Sequence, residues 1–235
     1  MRKLTWLFDL DNTLHDASHA IFPAINANMN ALIARVLVAE NKPSHQDAVN
    51  TVRTAYWRRY GATLLGMMRH HAVRAEDFLR DAHCFDDLPR MIRAEGGLGR
   101  LLKRLPGKKI LLTNAPAAYS QAVIRHLGLH RHFAVHIPIE SMFVHRQLRP
   151  KPSRLLLRKL LAKNKLCPRH CVLVEDTADN LKAAKSLGMR TVWATGYLHP
   201  LPTMHGHSRK TARPRFIDVK VKSVMQLPQS LRRLR

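Results

Sequence analysis

Apolar residues follow two rhythms along this 235-residue chain, and the places where the rhythm changes outline its architecture. Leu4, Trp6, Leu7, Phe8 and Leu10 form a nearly continuous apolar run, so Lys3 to Leu10 reads as a buried strand. From Ala20 to about Gly96 the spacing becomes helical. Ile21, Ile25, Met29, Leu32, Ile33, Val36 and Leu37 recur every three or four residues, the mark of an amphipathic helix. Further helices are predicted around residues 45–60, 61–71, 75–83 and 87–95, and Gly96-Gly97 closes the block.

Beyond the glycine pair, short apolar runs alternate with helical stretches. Strands are predicted at Lys108–Thr113, Val135–Ile139, Cys171–Val174, Thr191–Ala194 and Phe216–Val219. Helices are predicted at Ala117–Leu127, Ser153–Asn164, Asp179–Leu187 and Ser223–Leu231. Such alternation implies right-handed βαβ units and a parallel sheet. The expected fold is therefore α/β: a doubly wound, Rossmann-like core from residues 1–15 and 99–235, with an all-helical insertion at 16–98. Residues 199–214, rich in His, Pro and basic side chains, read as a mobile basic loop.

Composition narrows this picture. With 46% apolar residues the chain can bury a core, and three cysteines cannot form a paired disulfide framework. The apolar stretch at the amino terminus is broken by Asp9 and Asp11, too early for a signal segment. No run is expected to approach the roughly 18 uncharged residues needed to span a bilayer. A soluble, reduced, cytoplasmic protein without a membrane segment is the expectation. The net charge of +24 is distributed unevenly: residues 16–98 contribute +1, 99–198 contribute +15 and 199–235 contribute +8. This field would draw in phosphorylated ligands and could hold nucleic acid without sequence preference. Residues 99–198 carry few acids, yet three of them, Glu175, Asp176 and Asp179, lie within five positions, which suggests a cation site.

The chemistry concentrates where strands end. Asp9 and Asp11 sit two apart, so their side chains point the same way at the carboxyl end of the first strand, where open α/β sheets bind ligands. Two close carboxylates need a proton or a cation between them. Thr113-Asn114, Lys151 and Glu175-Asp176 follow other predicted strands or the turns between them. Together these groups offer hard oxygen donors, a cationic partner, and a hydroxyl with backbone amides for anionic oxygens, which are the parts phosphoryl transfer needs.

In this order, Asp9-Leu10-Asp11-Asn12-Thr13, Leu112-Thr113-Asn114, Lys151 within Arg149-Pro150-Lys151-Pro152, and Val174-Glu175-Asp176-Thr177 with Asn180 resemble the four motifs of the haloacid dehalogenase superfamily of phosphohydrolases. The resemblance implies a helical cap at 16–98 and a role for each matched residue. Asp9 would attack phosphorus and become an aspartyl-phosphate. Asp11 would protonate the leaving oxygen and then deprotonate the hydrolytic water. Members that cleave carbon–halogen bonds lack that second acid. Thr113 and the Asn114 backbone amide would hold phosphoryl oxygens, and Lys151 would balance charge. Asp9, the Asp11 carbonyl, Asp176 and Glu175, the last directly or through water, would hold Mg²⁺.

Residues Tyr60 to Met68, followed by His71, resemble a cap segment of the pyrimidine 5′-nucleotidase branch. Gly61 and Gly66 would let a helix end approach a ligand closely, and Met67 and His71 would contact a base or phosphate. An ordinary amphipathic helix with packed methionines explains the same pattern. The expected activity is Mg²⁺-dependent hydrolysis of a small phosphate monoester, foremost a pyrimidine nucleoside 5′-monophosphate. The alternatives are a sugar-phosphate or phosphoglycolate phosphatase, a phosphomutase, and a non-catalytic basic nucleic-acid-binding protein on the same fold. Cys167 and Cys171 lack the second ligand pair that a structural zinc site requires.

Overall fold

A computed structural model describes residues 4–198 and 213–234. The expected loop at 199–214 falls almost wholly outside the described residues. The chain divides into two compact units, Met1–Ser18 with Ile92–Arg235, and His19–Met91.

The first unit is α/β. Its elements are β1 (Thr5–Phe8), α6 (Leu98–Arg104), β2 (Lys108–Leu112), α7 (Ala117–His126), β3 (Val135–Ile137), a hairpin of β4 (Phe143–Val144) and β5 (Gln147–Leu148), α8 (Arg154–Lys163), β6 (Cys171–Glu175), α9 (Ala178–Lys185), β7 (Arg190–Ala194), β8 (Val219–Val221) and α10 (Leu227–Leu234). Six strands form one sheet in the order β3-β2-β1-β6-β7-β8, and every pairing in it is parallel. β1 and β6 are buried along their whole length, as expected of central strands covered on both faces. From β1 the chain builds outward through β2 and β3, then crosses back to β6 on the other side of β1. The strand order therefore reverses at β1 and β6, and a crevice opens at their carboxyl ends. This is the doubly wound, Rossmann-like core that the alternating pattern predicts.

Two departures have physical causes. The β4–β5 hairpin was not predicted because two-residue strands are too short to show periodicity. The last strand is Val219–Val221 rather than Phe216–Val219. Asp218 stops the segment ahead of it: its carboxylate accepts the Thr191 N–H at 2.9 Å and pairs with Lys185. At Gly107 the turn into β2 needs a positive φ of 90°, and an added Cβ would lie 1.9 Å from the Leu4 carbonyl oxygen.

The second unit is helical: α1 (Ile21–Ala39), α2 (Gln46–Tyr60), α3 (Thr63–His70), α4 (Ala75–Ala82) and the single turn α5 (Leu88–Met91). Residues 17–34 carry no charge, which corrects the expectation about uncharged runs, and α1 has the length and hydropathy of a bilayer span. Its asparagines are committed to protein partners, however. Asn26 accepts from Arg53, Asn28 donates to the Ala82 and Cys84 carbonyls, and Asn30 donates to Asn50. Polar groups spent in this way belong to a helix packed among its neighbours.

Candidate active site

Asp9 and Asp11 leave the carboxyl end of β1 in a tight turn, in which the Leu10 carbonyl accepts from the N–H groups of both Thr13 and Leu14. Asn12 takes a left-handed φ of 56°, which Asn tolerates better than most residues. Its amide braces the turn, donating to the Ser18 hydroxyl at 2.8 Å and accepting the Ser18 N–H at 3.0 Å. The two acids are thus held on a rigid loop.

Asp9 is buried, and Lys151 reaches it from the turn after the β4–β5 hairpin. The Lys151 ammonium donates to Asp9 Oδ1 and to Glu175 Oε2, each at 2.7 Å. Glu175 ends β6 and is 1% exposed, and its other oxygen accepts the Thr177 N–H at 3.3 Å. Asp176 accepts from the Thr177 hydroxyl, and its carbonyl receives the Trp193 indole N–H at 2.8 Å. Carboxylate oxygens of Asp9, Glu175 and Asp176 all lie within 4.8 Å of one another.

The electrostatics call for a further positive charge. Burial, then repulsion from Glu175, pushes the Asp9 carboxyl well above the usual range, against the pull of Lys151. Glu175 is also raised, chiefly by burial. Asp176 is pushed up to about 6 by burial and by the charge of Asp9. Burial alone would lower Lys151, but Asp9 and Glu175 outweigh it and raise the ammonium above its ordinary value. Three carboxylates against one ammonium leave two negative charges when all are ionised. A divalent cation is the complement, and an all-oxygen donor set suits a hard ion such as Mg²⁺.

Thr113, at the end of β2, accepts the Ala115 N–H at 3.1 Å, so its own O–H proton is directed elsewhere. The Asn114 side chain has a task the sequence did not suggest. It donates to the Lys151 carbonyl at 3.0 Å and accepts the Lys151 N–H at 2.9 Å, bracketing the main chain that carries the ammonium. The phosphate-binding expectation for Asn114 rests on its backbone amide alone.

Two further residues converge on Asp11. The Tyr119 hydroxyl, from the first turn of α7, donates to Asp11 Oδ1 at 2.6 Å, and His15 Nε2 lies 2.9 Å from the same oxygen. Burial, then the charge of Asp11, drives the Tyr119 phenol far above its ordinary value, so it stays a hydrogen-bond donor. Nothing in the spacing of the sequence marks either residue for this site.

The four residues expected to touch substrate from the helical insertion all lie in the second unit. Gly61 ends α2 in a left-handed conformation. Gly66 admits the Tyr56 ring, whose Cγ would lie 2.2 Å from an added Cβ. Met67 is fully buried. His71 uses both ring nitrogens within the unit, Nε2 with the Tyr56 hydroxyl at 2.7 Å and Nδ1 with Glu40 at 2.9 Å.

A family model described as haloacid dehalogenase-like hydrolase matches residues 5–188. Among solved structures, the chain is similar to a HAD phosphatase from Thermococcus onnurineus, with 16% identity, 97% of each chain covered and a TM-score of 0.62. It is also similar to a 2-haloacid dehalogenase from Pseudomonas syringae pv. Tomato, with 20% identity, 100% of each chain covered and a TM-score of 0.58. A third is a β-phosphoglucomutase, so described provisionally, from Thermotoga maritima, with 19% identity, 97% of this chain and 98% of that one covered, and a TM-score of 0.56. At these identities the likeness is one of fold.

Proposed function

The chain belongs to the haloacid dehalogenase-like hydrolases, and from that membership we propose a Mg²⁺-dependent phosphatase of small phosphate monoesters. The observation that carries the proposal is the division of labour between the two acids of the first loop. Asp9 sits in the carboxylate cluster under Lys151, while Asp11 Oδ1 is met by Tyr119 and His15. One acid is placed to attack, with an ammonium and a cation site beside it; the other is placed to exchange a proton. The presence of Asp11 favours a phosphate ester over a carbon–halogen bond as the group cleaved.

In the first step an Asp9 oxygen forms a bond to phosphorus, and the bond from phosphorus to the leaving oxygen breaks. Asp11 gives its proton to that oxygen, and the alcohol departs. In the second step water attacks the aspartyl-phosphate. Asp11 takes the water proton, the Asp9–phosphorus bond breaks, and inorganic phosphate and the starting carboxylate remain. Thr113 donates its hydroxyl proton to a phosphoryl oxygen, joined by the Asn114 backbone amide. Lys151 offsets part of the cost of ionising Asp9 in its buried position. Asp9, Asp176 and the Asp11 carbonyl would hold Mg²⁺, with Glu175 reaching it through water because its oxygens already serve Lys151 and Thr177. When bound, the ion supplies neutralisation of the phosphoryl charge.

The finer reading is a nucleoside 5′-monophosphatase with a pyrimidine preference. Its support is the resemblance of residues 60–71 to that branch, together with a positive field concentrated outside residues 16–98. Hydrolysis of p-nitrophenyl phosphate, with and without Mg²⁺, in native protein and Asp9→Asn tests the activity: turnover that survives chelation or that substitution overturns it. A screen of nucleoside monophosphates against sugar phosphates tests the preference, and equal rates across both groups would remove it.

A further inference from the structure

Asp11 is held differently from Asp9, and the difference concerns a single oxygen. Oδ1 of Asp11 receives the Tyr119 hydroxyl at 2.6 Å and lies 2.9 Å from His15 Nε2. A carboxylate oxygen has two lone-pair directions in its plane, so two donors saturate it. The two donors come from different parts of the α/β unit. His15 is placed by the turn itself: residues 11 and 15 form an isolated β-bridge, and Asn12 is tied to Ser18 around them. Tyr119 arrives from the first turn of α7, 108 positions away, on the helix that follows Thr113.

The histidine is unusual for its surroundings. It is fully buried, and its Nδ1 has no hydrogen-bond partner among the described residues. Buried N–H groups left without an acceptor are rarer in folded proteins than buried lone pairs left without a donor. The hydrogen-bond geometry therefore fits the tautomer with its proton on Nε2, donating to Asp11 and leaving a lone pair on Nδ1. A histidine retained for packing alone would be better replaced by an apolar ring or chain, which strands nothing.

We propose that Tyr119 and His15 are positioning residues that clamp Oδ1 of Asp11, fixing the carboxyl plane and making Oδ2 the oxygen that hands the proton to the leaving group and takes it back from water. The assignment rests on the phosphatase reading and refines it: it names the reacting atom of the acid and the two side chains that select it. Without the clamp the carboxyl can rotate about its Cβ–Cγ bond, and the proton no longer sits on the line to the leaving oxygen.

The test is the dependence of kcat/KM on leaving-group basicity, with Mg²⁺ present, over aryl phosphates from p-nitrophenyl to phenyl phosphate. A well-aimed acid makes this dependence shallow, because a poor leaving group departs already protonated. In Tyr119→Phe, which loses one oxygen, phenyl phosphate should lose about 10- to 100-fold while p-nitrophenyl phosphate, whose phenolate leaves unaided, changes far less. His15→Leu should steepen the dependence as well. His15→Gln, which can place an amide N–H near the position of Nε2, should restore much of the native slope. A uniform fall across the series in Tyr119→Phe, or no change of slope, overturns the clamp, because a structural disturbance would affect every ester alike. If native protein hydrolyses none of the series, or Asp9→Asn hydrolyses it as well as native protein does, the phosphatase reading itself falls and the clamp with it.

Discussion

Replacing Lys151 with Met removes the ammonium that contacts the buried Asp9 and Glu175, beside the half-buried Asp176, and leaves an apolar chain of similar length. The ammonium lies 2.7 Å from both Asp9 and Glu175. At that separation each attraction amounts to about 6 kcal/mol for an effective dielectric constant of about 20. The cost of burying the lysine offsets much of that sum. Its loss also leaves Asp9, Glu175 and Asp176 repelling one another across oxygens within 4.8 Å, at about 3.5 kcal/mol or more per pair on the same scale. The expected net effect is a loss of about 3–5 kcal/mol of stability near neutral pH, as when one partner of a buried pair is removed. The loss must depend on pH, and its sign follows from the carboxyls. All three are already raised in the folded protein, Asp176 to about 6, and losing Lys151 raises them further. Folded variant then binds more protons than unfolded chain, so its stability falls as pH rises through that range. The penalty should be small near about pH 5 and large near about pH 7.5. Urea titration in chelator measures it, followed by tryptophan fluorescence in a Trp57→Phe background so that Trp6 and Trp193 report the α/β unit. A penalty that is equal at the two pH values, or below about 1 kcal/mol at the higher one, would refute the reading of Lys151 as the charge that holds the cluster together.

Three further outcomes are expected. Asn114→Ala, which removes both side-chain hydrogen bonds to the Lys151 main chain, should cost about 1–3 kcal/mol of stability. It should also lower kcat by about tenfold or more with little change in KM, since a displaced lysine misaligns the nucleophile; an unchanged kcat in steady-state assays would show that the bracket does not position the ammonium. Gly66→Ala forces a Cβ to within 2.2 Å of the Tyr56 ring and should destabilise the helical unit by about 1–3 kcal/mol, read by thermal melting or limited proteolysis. Melting indistinguishable from native would mean that α2 and α3 do not approach as closely as described. Burial holds the His136 imidazole below the usual 6.5, so unfolded chain takes up its proton first as pH falls. That contribution is absent above about pH 6.5 and destabilises the fold below it. Denaturant titrations over the range should show weaker acid sensitivity in His136→Gln than in native protein, and parallel curves would discount the residue.

The chain alone made the strand ends legible because two local rules govern them. Continuous apolar runs mark central parallel strands, and residues two apart on a strand share a face. Asp9, Asp11, Thr113 and Glu175 could therefore be placed on the ligand side of a parallel sheet before any tertiary contact was known. The helices of residues 20–91 were legible from the shift in period at Ala20, whereas α6 (Leu98–Arg104), seven residues long and directly after the Gly96-Gly97 pair, was not. Three positions show where this stops. Asn114 reads as a phosphate loop residue, yet its side chain closes on the Lys151 main chain 37 positions away. Gly66 and His71 read as ligand contacts, and spacing does not reveal that Tyr56 approaches both and Glu40 pairs with His71 within the helical unit. Spacing says which face a residue occupies, not which chain segment meets that face.

What the sequence determined by itself is which acids stand at the ends of which strands, and hence the family, the cleft and the class of chemistry. What only the tertiary structure decided is how those acids are made unequal. The sheet order places Lys151 between Asp9 and Glu175, and puts Tyr119 with His15 on one oxygen of Asp11. These pairings span up to 142 positions and turn on side-chain direction to within an ångström, and hydrophobic periodicity carries no information at that scale.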